Sequence, residues 1–319
     1  MCGFIFIYDT KIDQKKAQSS LNTMIHRGPD QQRSSLDNNL FMGFNRLAIQ
    51  DLSSNAMQPM YENLNQNEIY LMFNGEIYNF LELKKKNSKI NKLNYKSNSD
   101  TEVILKLYVT HGIEKTLELL DGMFAICLYD KKNKKVFIAR DLFGQKPLYY
   151  YQKKNLFIIS SEIKGISSYI DNIEPDFFGS LNPILQTGTP ASNLTMFKDI
   201  KRLLPGEILT FDLKTEKIFK KKFLKIKNLI NQNDYNRLKS INETELLQEY
   251  TSTLSKTVKD HAISDSPIAV AASLGLDSTV IMELLSKNYN KKINCISYIS
   301  DEDKKIFNNA DTKKYFSKV

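Results

Sequence analysis

The sequence predicts an α+β fold for residues 2–211, followed by an incomplete α/β unit. Three observations predict it. Short apolar runs at 123–129 and 136–139, and again at 148–151 and 156–160, flank polar turns and read as antiparallel hairpins. Helical spacing appears between the strands, at Val103, Ile104, Leu107 and Tyr108, which places helices in a block of their own. After residue 242 the pattern becomes helix, continuous apolar strand, short turn, helix and second apolar strand, the βαβ signature of a parallel sheet.

In chain order, residues 3–8 form a buried strand and 15–24 a helix. His26-Arg27-Gly28-Pro29-Asp30 is a turn punctuated by Gly and Pro. Residues 40–46 and 68–73 are strands, and Asn74-Gly75 reads as a turn between apolar runs. Residues 101–110 and 116–120 are two helices, followed by the hairpins above. Residues 181–205 contain prolines and little periodicity, which predicts a long surface segment, and 212–242 is a Lys/Asn-rich linker. Residues 243–261 form a helix with Leu246, Leu247, Tyr250, Leu254 and Val258 on one face. Strands at 268–272 and 293–299 bracket the turn 273–279 and a helix to 287. Two strands do not make an independent doubly wound domain, so 243–319 reads as incomplete.

Composition excludes several classes. The 319 residues suit about two domains. The 18 Phe and 16 Tyr exclude global disorder. No run approaches the roughly 18 apolar residues of a membrane span, and the short apolar run after Cys2 lacks a cleavage site for a signal peptide. Three widely spaced cysteines, Cys2, Cys127 and Cys295, suit neither a disulfide framework nor a zinc site, and a reducing cytoplasm is the simplest location. The net charge of +9 would draw polyanions, but Lys is spread along the chain, densest at 84–86 and 220–222. Specific nucleic-acid readers rely on Arg, of which there are six, so the charge reads as solvated faces with no specific nucleic-acid or membrane partner.

Cys2 is the first candidate for chemistry. Removal of the initiator Met, usual before a small residue, would place a thiol nucleophile and an α-amine of pKa about 7.7–8.0 in one residue. On its own, Cys2 could equally be a buried strand-start residue. Cys2-Gly3-Phe4 is followed in order by His26-Arg27-Gly28-Pro29-Asp30, Arg46-Leu47-Ala48-Ile49, Asn74-Gly75-Glu76-Ile77-Tyr78-Asn79 and Ser99-Asp100-Thr101-Glu102. Arg140-Asp141-Leu142-Phe143-Gly144-Gln145-Lys146-Pro147-Leu148-Tyr149-Tyr150 comes next, and 188–211 carries Thr-x-Phe and Leu-Pro-Gly elements. Residues 2–211 thus resemble the N-terminal glutaminase domain of glutamine-dependent asparagine synthetases, which are class II, N-terminal-nucleophile amidotransferases.

The resemblance implies an αββα sandwich and a role for each residue. Cys2 attacks the side-chain amide of glutamine, releasing ammonia and leaving a glutamyl thioester. The Asn74 side chain and the Gly75 amide form the oxyanion hole. Arg46 binds the substrate carboxylate, Asp100 its ammonium with Glu76 beside it, and Leu47 and Ile49 complete the glutamine site. The residue types suit a zwitterion, which needs one fixed cation and one fixed anion. In this family the α-amine is the base, so His26 is not, and the turn around it shapes the pocket wall, where Arg27 and Asp30 could pair. Arg140, Asp141 and Lys146 fix a structural turn. The glutaminase half needs no cofactor.

The second motif is Ser273-Leu274-Gly275-Leu276-Asp277-Ser278-Thr279, between an apolar strand and a helix. It resembles the Ser-Gly-Gly-x-Asp-Ser pyrophosphate loop of ATP pyrophosphatases, an adenine-nucleotide α-hydrolase-like, Rossmann-like fold. It implies ATP binding at Ala272, Ser273, Gly275, Asp277 and Ser278, with Mg2+ and aspartate as further ligands of the synthetase half and no assigned metal-binding residue. Backbone amides at a helix N-terminus hold phosphates in such loops. Leu274 stands where the pattern has Gly, and it cannot readily adopt φ > 0. The remaining synthetase segments have no counterpart in this sequence, which implies a half that is truncated, split onto a second chain or lost; a homodimer is a further expectation. The leading reading is a glutamine-hydrolysing asparagine synthetase with an incomplete synthetase half. The alternatives are a glutaminase subunit of another amidotransferase, and a non-catalytic remnant or partner-binding protein.

Overall fold

The computed structural model describes residues 1–297 except 65, 88, 178, 179, 181, 189–191, 274 and 290–292. The chain divides into two compact units, Met1–Leu229 and Ile230–Val319.

The first unit contains β1 (Gly3–Asp9), α1 (Gln14–Asn22), β2 (Gln31–Asp37), β3 (Leu40–Arg46), β4 (Met60–Leu64), β5 (Asn67–Ile77), α2 (Phe80–Lys86) and α3 (Asp100–Leu119). It continues through β6 (Gly122–Asp130), β7 (Lys135–Arg140), β8 (Tyr149–Lys153), β9 (Leu156–Ser160), α4 (Ile163–Ser167), α5 (Asn182–Thr187), β10 (Ile200–Arg202), β11 (Glu207–Asp212) and β12 (Lys217–Lys222). The strands form two six-stranded sheets, β10-β8-β9-β1-β3-β2 and β12-β11-β7-β6-β5-β4. Every pairing within them is antiparallel.

β1 shows why its sequence is apolar at consecutive positions. Successive side chains of a strand point to opposite faces. Phe4 and Phe6 enter the core between the sheets, with Met42 and Phe44 of β3 and Met72, Ile138 and Leu209 of the second sheet. Ile5 and Ile7 point the other way, onto Ala17 and Leu21 of α1 and Ile166 of α4. β1 is thus a strand covered on both faces. On the far side of the second sheet, α3 buries Val103, Ile104 and Leu107, and its Tyr108 ring lies 5.9 Å from that of Phe137 in β7. Ser99 caps α3, accepting from the Glu102 amide.

Several elements differ from the sequence reading. Asn74-Gly75 does not turn: both residues continue β5, with Asn74 opposite Ala125 and Gly75 opposite Phe124 in β6. A Cβ on Gly75 would lie 2.1 Å from the Met123 carbonyl, so the glycine serves close strand approach rather than chain reversal. The two helices expected near 101–120 are present as the two segments of α3, separated at Gly112, whose backbone is non-helical with φ 76°. β2, β4 and α2 were not anticipated. The expected surface segment holds α5 and β10, and the stretch read as linker contains β12, paired along β11.

The second unit contains α6 (Gln232–Ser240), α7 (Glu243–His261), β13 (Ala269–Ala271), α8 (Leu276–Asn288) and β14 (Asn294–Ile296). β13 and β14 pair in parallel around α8, as the βαβ reading expects. Arg237 and Glu249 form a two-pronged bridge at 2.8 and 2.7 Å between α6 and α7. Among the described residues, no helix is long and apolar enough to cross a membrane.

Candidate active site

The first unit holds a cavity of about 260 Å³ lined by Cys2, Arg46, Leu47, Ile49, Asn74, Gly75, Glu76 and Asp100, every residue assigned from sequence to the first site. Different elements bring them together. Cys2 immediately precedes β1, whose Gly3 lies opposite Asn45 in β3, so Cys2 sits beside the end of β3 where Arg46 and Leu47 leave the sheet. β5 of the other sheet delivers Asn74, Gly75 and Glu76, and the first turn of α3 delivers Asp100.

Cys2 Sγ accepts a hydrogen bond from the Leu47 amide at 3.4 Å. Burial pushes the thiol upward, against the Leu47 hydrogen bond and the nearby positive charges. The resting group is therefore a thiol that needs a base to become a nucleophile. Its carbonyl accepts from Arg27 Nε at 2.9 Å. Arg27 pairs with Glu162 at 3.0 Å, not with Asp30, whose Oδ2 accepts from the Ala48 amide at 2.8 Å. His26 also faces Glu162, at 3.0 Å, and does not line the cavity.

Asn74 is 1% exposed, and its Nδ2 is buried without a hydrogen-bond partner among the described residues. Orphaned buried donors are rare and costly. This one borders the cavity that holds Cys2, where an anionic oxygen would satisfy it.

The charges form two poles. Arg46 Nη1 donates to Gln31 Oε1 at 2.8 Å and to the Ser53 carbonyl at 2.7 Å, and Nη2 donates to the carbonyls of Gln50 and Asp51. The guanidinium is held by its own following loop, so a paired hydrogen bond through both Nη groups would have to displace a carbonyl. Two carboxyls also line the cavity. Asp100 accepts from the Ile77 amide at 2.9 Å, and Glu76 from Gln50 Nε2 at 2.8 Å. Burial raises both, and the Asp100 charge raises Glu76 further. A ligand ammonium would relieve that repulsion.

Lys146 was read as part of a structural turn, and its backbone is: the amide donates to Asp141 Oδ2 at 3.1 Å, and the carbonyl accepts from Arg140 Nε at 2.7 Å. Its side chain, however, is 7% exposed and lines the cavity. Burial lowers its ammonium while the Glu76 charge raises it. With Arg46 it places two cationic side chains on the wall of the cavity that also holds the two carboxyls. Gln50 was missed as well. The Gly144-Gln145-Lys146 turn and the polar residues after Ile49 carry no local signal of what they face in space.

In the second unit, Ser273 Oγ lies 3.0 Å from Ser278 Oγ, which also donates to the Gly275 carbonyl at 3.0 Å. Gly275 caps α8 without a side-chain hydrogen bond, at the helix end where a phosphate-binding loop offers backbone amides. Ala272 is buried at the end of the strand, and Asp277 lies in the first turn. Leu274 is outside the described residues. Among the described residues, no group of three or more His, Cys, Asp or Glu is placed to hold a metal ion.

Comparison with known proteins agrees with this geometry. Residues 1–224 match the glutamine amidotransferase domain family. A putative glutamine-hydrolysing asparagine synthetase 2 of Methanocaldococcus jannaschii is 32% identical over 308 residues, covering 89% of this chain and 57% of that protein. Asparagine synthetase 2 of Bacillus subtilis is 31% identical over 296 residues, covering 90% of this chain and 37% of that protein. This chain thus spans about half the length of the curated relatives it matches, or less. Among solved structures, glutamine phosphoribosylpyrophosphate amidotransferase from B. subtilis aligns over 100% of this chain and 70% of its own, with a TM-score of 0.53 at 15% identity, a likeness of fold. The match over 1–224, on two antiparallel sheets with a cysteine at the start of an interior strand of one, means that this chain belongs to the glutamine amidotransferase family.

Proposed function

We propose that the first unit hydrolyses glutamine at Cys2 and supplies the ammonia for asparagine synthesis. The observation that carries the reading is the convergence of Cys2, the orphaned Asn74 donor, Arg46 and the Glu76–Asp100 pair on one cavity. After removal of Met1, the Cys2 α-amine takes the thiol proton as sulfur attacks the amide carbon. The oxyanion forms against Asn74 Nδ2 and the Gly75 amide, a donor of this kind contributing about 2.7–4 kcal/mol in the transition state. The proton passes to the leaving nitrogen, ammonia departs, and water resolves the glutamyl thioester to glutamate, restoring the thiol. Arg46 orients the substrate carboxylate, Asp100 and Glu76 hold its ammonium, and Leu47 and Ile49 line the site.

Synthesis of asparagine is proposed from the names of the relatives. In that reading the second unit is the start of a Rossmann-like synthetase domain. Ala272, Ser273, Gly275, Asp277 and Ser278 would hold the phosphates of ATP, which with Mg2+ would supply activation of the aspartate carboxyl. Exposed apolar side chains in the second unit, Leu247 at 62%, Tyr250 at 64% and Ile296 at 67%, support a covering partner.

The test is product analysis with amide-labelled glutamine, aspartate and Mg-ATP. Glutamate with labelled asparagine supports the whole reading. Glutamate and free ammonia alone support the glutaminase half and leave asparagine synthesis unsupported for this chain. No glutamate refutes the reading.

A further inference from the structure

Arg46 leaves the end of β3 in the first sheet, whereas Asp100 opens α3, which packs on the second. Their separation decides whether one α-amino acid can touch both. One residue joins them. Asp51 accepts from Arg46 Nη2 through its backbone carbonyl, and its Oδ2 accepts from the Asn98 amide at 2.7 Å, two residues before Asp100. Its other oxygen, Oδ1, accepts from the Ser53 amide at 3.0 Å and from Ser53 Oγ at 2.5 Å, while the Ser53 carbonyl accepts from Arg46 Nη1. Next to it, Gln50 reaches Glu76. Asp51 holds a left-handed backbone with φ 52°, a conformation that Asp tolerates better than most residues. Burial raises its carboxyl, but the hydrogen bonds from Ser53 and Asn98 and the Arg46 charge outweigh this and keep it below the usual range, so it remains a charged acceptor.

We propose that Asp51 is a positioning residue that sets the distance between the cationic and anionic poles of the site, so that the pocket recognises an α-amino acid rather than a carboxylate or an amine alone. It does not line the cavity and touches no reacting atom. The proposal rests on the glutaminase reading above.

The test uses the full chain and two variants. Asp51→Gly keeps the left-handed backbone and the carbonyl that receives Arg46, and it removes the link to Asn98. Asp51→Asn keeps the shape and one acceptor, and it guards against a folding defect. Glutamine KM and kcat are measured, together with inhibition by two ligands that carry one pole each, glutaramate (no ammonium) and 4-aminobutanamide (no carboxylate). Loss of hydrogen bonds to a charged group predicts that Asp51→Gly raises glutamine KM by about tenfold or more, with kcat within about twofold and both inhibition constants unchanged. Asp51→Asn falls between. An unchanged KM in Asp51→Gly, or equal weakening of all three ligands, overturns the proposal while leaving the glutaminase reading intact. A wild-type chain that does not hydrolyse glutamine overturns both.

Discussion

Asn74→Ala separates what a side chain does for folding from what it does for catalysis. Asn74 Nδ2 is buried and has no partner among the described residues, so the folded chain carries an unsatisfied donor. Leaving such a group unpaired costs about 1–3 kcal/mol. Truncation to Ala removes that cost and loses a small amount of packing beside a cavity, for a net stabilisation of about 1 kcal/mol. For a unit of this size, that is a rise in midpoint of about 2–4 °C. If the same group stabilises the oxyanion, kcat for glutamine hydrolysis falls by about 100- to 1000-fold. Thermal or denaturant unfolding and steady-state glutamate release measure the two effects on one preparation. Higher stability with collapsed kcat is the expected pair. A stability loss above about 1 kcal/mol with kcat retained would refute the reasoning, because Asn74 would then be a structural residue.

Asp141→Ala should be severe: its carboxylate accepts from the amides of Phe124, Phe143, Gln145 and Lys146, and their loss should cost more than about 4 kcal/mol, with a denaturant shift below about 1 kcal/mol contradicting this. Glutamine KM should rise as pH falls from about 8 to about 6, because the raised Glu76 and Asp100 carboxyls take up protons there and no longer hold an ammonium; a flat KM profile would contradict it. Folding has the opposite sign. Both groups hold protons at pH values where the unfolded chain has lost them, so their contribution to stability is full below the ordinary carboxylate range and is lost as pH rises through the raised values.

The site was legible because its residues lie in short, ordered motifs, each carrying a chemical type that a zwitterionic amide requires. The fold was legible where both faces of a strand are buried, as in β1, or where a hairpin alternates cleanly, as in β6 and β7. It was not legible at edges. β2 reads Gln-Gln-Arg-Ser-Ser-Leu-Asp and β12 reads Lys-Ile-Phe-Lys-Lys-Lys, because an edge strand needs only one partner and lysine there discourages pairing with another chain. Asn74-Gly75 carried a turn signal that β6 overrides, since the glycine is needed for close strand approach. Lys146 and Asp51 belong to loops that act across space, with no periodicity to mark them.

The most direct test of the central claim is covalent trapping at Cys2. The purified chain is treated with a diazoketone analogue of glutamine, with and without excess glutamine, and its N-terminal peptide is weighed. The account predicts a chain that begins at Cys2 and carries one adduct on that residue, suppressed by glutamine and missing from Cys2→Ala. A retained Met1 together with labelling spread over Cys127 and Cys295 and unaffected by glutamine would contradict it.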